Sequence, residues 1–224
     1  MARAVRFMGT EKRQGRARRN GHSSRKVPLG IPRRRAHSPP AMPQNFLYFD
    51  LETQRSAGDV GGWDNKDKMG MSVGVIYSTG TGKYDIFPES EVEQLITAIS
   101  RADLVIGFNH VEFDYKVLQG YSMWDVAEQM KSFDLLLDIE KKLGHRLKLE
   151  DIATASLGTG KTADGLDAIR WWREKKYRQV AEYCCFDVKV TKRVHEFGVE
   201  HGYVRYKDRF GREATVEVQW PDWK

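Results

Sequence analysis

Apolar and polar positions follow three regimes along this chain. Residues 1–44 show almost no periodic apolar pattern. From Asn45 to Phe108 the apolar residues come in short runs divided by turn residues, and from about 110 to 201 they recur at helical spacing. Phe46-Leu47-Tyr48-Phe49 reads as a buried strand leading into Asp50. A polar, Gly-containing loop follows, through Asp59-Val60-Gly61-Gly62-Trp63. Met71 to Tyr77 predicts a second strand, Thr79-Gly80-Thr81-Gly82 a turn, and Lys83 to Phe87 a third strand, together an antiparallel meander. Ser90 with Glu93 has the form of a capping box, opening a helix to about Arg101 that carries Val92, Leu95, Ile96 and Ile99 on one face. Leu104 to Phe108 is short and fully apolar, as suits a strand covered on both faces. Helical spacing then predicts helices near 110–119, 134–143, 148–157, 165–174 and 177–201. Tyr203 to Tyr206, a turn near Gly211, and Ala214 to Trp220 read as a terminal β-hairpin. Strands first, then strand and helices mixed, indicate a layered α/β or α+β domain.

Charge divides the chain at the point where the apolar pattern begins. The whole sequence carries +6, but residues 1–44 hold ten Arg and two Lys against one Glu, a net +11, which leaves −5 for residues 45–224. The basic segment therefore says nothing about what the rest of the chain binds. Its Arg, Ser, Gly and Pro content reads as a disordered tail. An organelle-targeting peptide, a nucleic-acid-binding arm and a true translation start at Met42 are the other readings. Residues 45–224 read as the folded domain. No apolar run approaches the roughly 18 residues of a membrane span. The two cysteines, Cys184 and Cys185, are adjacent, which argues against a disulfide scaffold or a zinc site and for buried, reduced thiols in an intracellular (cytoplasmic) protein.

Three acidic clusters carry the candidate chemistry: Asp50-Leu51-Glu52, Asn109 through Asp114, and Tyr183 through Asp187. Asp50 and Glu52 lie two apart at the end of a strand, so both side chains point to one face. Asn109 and Glu112 fit a helix N-cap and its reciprocal partner, a structural role. Asp114 lies one turn into that helix, near the C-terminal edge of a strand where sites form in open α/β sheets. Tyr183 and Asp187, four apart, share one helix face, and that stripe continues through Phe186, Val190, Val194 and Phe197. A carboxylate on an apolar stripe is costly unless it is paired or metal-bound.

Together these residues resemble the three motifs of the DEDD exonucleases within the RNase H-like superfamily. Phe49 to Thr53 is similar to the first motif, Asn109 to Asp114 to the second, and Tyr183 to Asp187 to the third. The third takes the tyrosine form found in proofreading domains of family B polymerases. The histidine form carries His five residues before the last Asp, where this chain has Glu182. The resemblance covers about residues 45–219 and is nearest to compact stand-alone members of the group. It implies an RNase H-like mixed β-sheet flanked by helices, with a C-terminal hairpin. It also implies two Mg²⁺ or Mn²⁺ ions held by Asp50, Glu52, Asp114 and Asp187, with Tyr183 orienting the attacking water. The implied activity is 3′→5′ hydrolysis of single-stranded DNA or RNA ends. The alternative is a catalytically silent nucleic-acid-binding module on the same fold, although a pure binder gains little from four like charges.

Two other features invite chemistry. Ala155 to Thr162 fits a loose phosphate-binding loop, but the preceding Leu149 to Leu157 has helical spacing and Gly158 reads as its C-cap, so a nucleotide hydrolase is disfavoured. Lys161 stays a candidate contact to substrate phosphate. Trp171 and Trp172, near Arg170, Arg173, Lys175 and Lys176, offer a stacking surface for single strands, with at least one Trp assigned to the core. His110, His145, His195 and His201 match no metal-ligand spacing and receive no role.

Overall fold

A computed structural model describes residues 44–158 and 165–222. The basic segment read as a tail, apart from Gln44, lies outside the described residues, as does Lys161. Strands β1 (Phe46–Thr53), β2 (Met71–Ser78) and β3 (Lys83–Pro88) form the expected meander. Helix α1 (Val92–Ser100) returns the chain to β4 (Leu104–Gly107), and α2 (Asp114–Leu118) follows. An edge strand, β5 (Ser132–Asp134), leads into α3 (Leu135–Leu143) and α4 (Leu149–Leu157). Helices α5 (Gly165–Arg173) and α6 (Tyr177–His201) precede a hairpin of β6 (Tyr203–Lys207) and β7 (Glu213–Glu217).

The sheet runs β3-β2-β1-β4-β5. Strands β1, β2 and β3 pair antiparallel, whereas β1, β4 and β5 pair parallel, so the sheet is mixed. Side-chain alternation along β1 divides the interior in two. Phe46 and Tyr48 enter the core shared with α4, α6 and the hairpin, while Leu47, Phe49 and Leu51 enter the core beneath α1 and α2. Both faces of the central strands are thus covered, which is why β1 and β4 read as near-continuous apolar runs.

Helix α6 is the main cover of one face. Val180, Cys184, Val188, Thr191, Val194 and His195 form its buried stripe. Of the expected stripe, Val190 and Val194 are buried, whereas Phe186 and Phe197 are only half-buried, so the buried stripe is centred on Cys184 and Val188 instead. His195 is fully buried, takes a hydrogen bond with the Tyr48 hydroxyl (2.9 Å) and stacks on Trp220. The indole of Trp220 in turn donates to Asp138 Oδ2 (2.8 Å). The hairpin is held to α4 by Ser156, whose hydroxyl accepts from the Arg205 amide (2.8 Å) and donates to the Arg205 carbonyl (3.2 Å).

Two expected caps do not form. Helix α1 is preceded by a 3-10 turn over Glu89–Glu91, and neither Ser90 nor Glu93 makes the capping pair; Glu91 precedes the helix without a side-chain cap. Asn109 and Glu112 do not cap α2 either. That helix starts at Asp114, so Asp114 is its first residue and not one turn inside it. Asn109 instead takes a left-handed backbone (φ 66°), a conformation Asn tolerates better than most residues.

Gly198 permits the close contact between α6 and Trp220. A methyl group there would meet the indole carbons at 2.3 and 2.4 Å. Gly198→Ala is expected to lower stability by roughly 1–2 kcal/mol net, since overpacking outweighs the helix propensity gained. Urea denaturation monitored by Trp fluorescence measures this; an unchanged or higher midpoint would contradict the packing described.

Candidate active site

The parallel strands deliver their C-terminal ends to one edge of the sheet, and the acidic clusters meet there. Asp50 and Glu52 project from β1 to the α6 side, as their i, i+2 spacing requires. Strand β4 pairs with β1 only as far as Tyr48 and Ile106, so the end of β1 outruns its parallel neighbour. The Leu51 amide in that stretch donates to Asp114 Oδ1 (3.0 Å). This bond fixes the start of α2 to β1 and keeps the Asp114 carboxylate within electrostatic reach of Asp50 and Glu52. From the other side, α6 presents Tyr183 and Cys184 on one turn and Asp187 on the next. The Tyr183 hydroxyl and the Asp187 carboxylate act on each other electrostatically across that face.

The tightest grouping is Asp50, Glu52 and Cys184, whose side-chain oxygen and sulfur atoms lie within 4.8 Å of one another. The charges of Asp114 and Asp187 act on both Asp50 and Glu52. All five residues expected from the sequence are therefore in one neighbourhood, and Cys184 joins them. The thiol lies 3.5 Å from Asp50 Oδ2 and 3.4 Å from the Asp50 carbonyl oxygen. Sequence reasoning placed Cys184 in the interior but gave it no place beside the carboxylates. Its position between Tyr183 and Asp187, one residue off their shared face, is the signal that was available.

Burial and like charge both oppose ionisation here. Glu52 is 8% exposed and Asp114 3%. Burial, followed by the charges of Asp114, Glu52 and Asp187, raises the Asp50 carboxyl well above its usual range. Burial, then Asp187 and Asp114, does the same to Glu52. Burial lifts Asp114 to about 7 against the pull of the backbone amides it accepts from, and lifts Asp187 to about 6 against the opposing effect of the Tyr183 hydroxyl. The Tyr183 phenol is raised by burial and by the charges of Asp187, Glu52 and Asp50, so it keeps its proton at neutral pH. The Cys184 thiol is raised in the same way and is a donor to Asp50, not a thiolate.

A buried aspartate outside the expected set supports this arrangement. Asp134, at the end of β5, accepts from the amides of Asn109 (2.8 Å), Val111 (3.1 Å), Leu136 (3.0 Å) and Leu137 (3.3 Å). His110 Nδ1 lies 3.3 Å from its Oδ2. Burial alone would raise this carboxyl, but His110 and the amides outweigh it and hold it below the usual range. Asp134 thus caps α3 and clamps the β4–α2 loop that carries Asp114. The sequence signal was an Asp preceding a helical run, which is ordinary at an N-cap; the long-range amides came only with the fold.

The remaining candidates fall elsewhere. The described part of the loose phosphate-loop match is the end of helix α4 with Gly158 in a left-handed C-cap (φ 69°), so no strand leads into it. Trp171 packs edge-on against Tyr183 and Trp172 against Tyr177, and both are half-buried. Arg170 and Arg173 pair with Asp167 and Asp59. Among the described residues, no helix is long and apolar enough to cross a membrane.

A family model for the RNase H superfamily matches residues 47–199. Among solved structures, the family B DNA polymerase from the hyperthermophilic archaeon Pyrobaculum calidifontis is similar, with a TM-score of 0.52 at 15% identity. The similarity covers 70% of this chain and 25% of the polymerase, and at that identity it is a similarity of fold. No curated protein sequence matches. The mixed five-stranded sheet with flanking helices and C-terminal hairpin is the RNase H-like architecture that the motif resemblance implied.

A carboxyl whose folded pKa exceeds its unfolded value near 4 binds its proton more tightly in the fold. Its contribution to stability is intact below about pH 4 and is lost as pH rises toward 7. In chelator, the melting temperature should fall between pH 4.5 and pH 7.5. Asp187→Asn, which keeps a side-chain oxygen near Tyr183, should melt higher than wild type at pH 7.5 and show a shallower fall. A metal-free Asp187→Asn protein that melts below wild type at pH 7.5 would contradict this electrostatic account.

Proposed function

The chain belongs to the RNase H superfamily, and on that premise we propose that it is a metal-dependent 3′→5′ exonuclease acting on single-stranded nucleic-acid ends, of the DEDD group with tyrosine in its third motif. The observation that carries this reading is the gathering of four carboxylates at one sheet edge, Glu52 and Asp114 buried and Asp50 and Asp187 half-buried, with Asp50 and Glu52 raised by the charges of the others. A fold gains nothing from such repulsion by itself. Divalent cations remove it.

The donor set fits hard cations. The four carboxylates are oxygen donors, as Mg²⁺ and Mn²⁺ prefer, and the one soft donor nearby, Cys184, is protonated and directed at Asp50. Asp50, Glu52, Asp114 and Asp187 would hold two such ions, which when bound supply activated water and neutralise charge at the leaving 3′ oxygen. The carboxylates give up their protons to bind cations, so affinity should rise with pH through the range where Asp187 and Asp114 titrate, about 6 to 7. Tyr183 keeps its proton and therefore orients the attacking water by hydrogen bonding instead of removing its proton. Trp171, edge-on to the Tyr183 ring at 6.0 Å between centroids, limits where that hydroxyl can swing. Asp134 positions Asp114 through the β4–α2 loop. The free thiols of Cys184 and Cys185 go with an intracellular, cytoplasmic location.

The test uses 5′-labelled single-stranded DNA and, separately, RNA, with Mg²⁺, with Mn²⁺ or with chelator. Stepwise shortening from the 3′ end is expected with metal and not with chelator. Asp50→Ala should lose orders of magnitude in rate while remaining folded. Tyr183→Phe should lose roughly 10²-fold in kcat with little change in KM, the signature of an interaction used in the transition state. Absence of metal-dependent cleavage of either polymer would overturn the proposal.

A further inference from the structure

The segment between β1 and β2 holds an aromatic ring where packing does not require one. Trp63 is 65% exposed, yet the backbone that presents it is fixed. Gln54 bonds to both strand ends of the loop, its amide donating to the Gly70 carbonyl (2.9 Å) and its side-chain nitrogen to the Met71 carbonyl (2.9 Å). Arg55 Nε donates to the Met69 carbonyl (3.3 Å), and Met69 itself is buried. Arg173 of α5 pairs with Asp59 at 2.6 Å. Behind the loop, the backbone near Asp67 presses so closely on Gly120 that a methyl group there would sit 2.1 Å from the Asp67 carbonyl oxygen. The Trp63 ring also leans edge-on against Phe113, with centroids 6.3 Å apart. It is a rigid platform with an open face.

Two hollows meet at this ring. One, a cleft of about 670 Å³, runs from Trp63 past Phe113, Met69 and Ile169 to Arg55 and Glu52. It therefore reaches Glu52, one member of the carboxylate cluster. The other, about 330 Å³, lies between Trp63, Lys66, Lys116 and Gln119, with Asp64 and Asp67 beside them. Lysine and aspartate balance in that second hollow, so charge alone does not explain attraction of a strand there. What the location offers is a flat π surface beside an apolar cleft that reaches Glu52. Stacking on an aromatic ring suits any nucleobase, because every base has a π face.

We propose that Trp63 is a stacking platform for the terminal base of a single-stranded nucleic acid whose 3′ end lies at the carboxylate cluster; this rests on the exonuclease reading of that cluster. The base enters the cleft between Trp63 and Ile169, and the terminal phosphodiester then reaches Glu52 and its neighbours.

Binding of 5′-fluorescein-labelled 12-mers of DNA and of RNA, followed by anisotropy in Mg²⁺, tests this in the full chain carrying Asp187→Asn. Each oligonucleotide is used with an intact 3′ nucleotide and with a 3′-terminal abasic residue. Adding Trp63→Ala should weaken binding of the intact strand about tenfold, and Trp63→Phe should retain most of the affinity. Removing the terminal base should cost a similar factor in the Trp63 protein and almost nothing further in Trp63→Ala, because ring and base act as one contact. Since Trp63 is exposed, the melting temperature should not change. Equal affinities with and without Trp63, or losses that simply multiply, overturn the proposal, whether or not Trp63→Ala alters the sedimentation of the protein alone. Coupling between ring and base, together with no metal-dependent cleavage by the wild-type chain, would uphold the platform and discard the exonuclease reading. Metal-dependent cleavage without that coupling would do the reverse.

Discussion

Like-charge repulsion at one edge of the sheet is the constraint around which this fold is arranged. Asp50, Glu52, Asp114 and Asp187 come from three separate elements, β1, α2 and α6, and full burial of Glu52 and Asp114 with half-burial of Asp50 and Asp187 limits the water that would screen their charges. Such a group stays together only if each residue is held by something stronger than the repulsion. For Asp50 and Glu52 the holder is the central strand, covered on both faces by apolar cores. For Asp187 it is the buried stripe of α6, from Val180 to His195. For Asp114 it is the hydrogen bond from the Leu51 amide, backed by the loop that Asp134 clamps. Repulsion that remains in the metal-free protein is the reason a divalent cation would bind well.

The two kinds of buried acid show how environment decides role. Asp134 accepts four amides and faces His110, so its charged form is favoured and it acts as a structural anchor. Asp50 and Glu52 face other acids and few donors, so their charged forms are disfavoured until a cation arrives. Cys184 reinforces the contrast. It fills the space beside Asp50 with a neutral donor, which adds neither charge nor a competing ligand for a hard ion.

Much of this was legible in the sequence, and the pattern of success has a physical basis. Strands β1 to β4 and helices α3 to α6 follow from apolar period and length, since each buries a continuous stripe. The five candidate residues that the fold gathers at one sheet edge had been singled out by motif order and spacing. What the sequence concealed depended on distant partners. Strand β5 is three residues long and carries one apolar side chain, Phe133, so no periodicity marks it. The Ser90 and Asn109 caps failed because tertiary contacts set those termini: a 3-10 turn starts α1, and Asn109 gives its amide to Asp134. His195 and His110, set aside for lack of ligand spacing, proved to be buried partners of Tyr48 and Asp134.

The central claim is that the carboxylate cluster is a divalent-cation site built from oxygen donors. Crystals grown with Mn²⁺ and measured at the manganese absorption edge test it most directly. The account predicts anomalous peaks bounded by the carboxylates of Asp50, Glu52, Asp114 and Asp187, with Cys184 Sγ outside the coordination sphere. Manganese bound elsewhere on the protein but absent from those carboxylates, or ligated by the Cys184 sulfur, would contradict it.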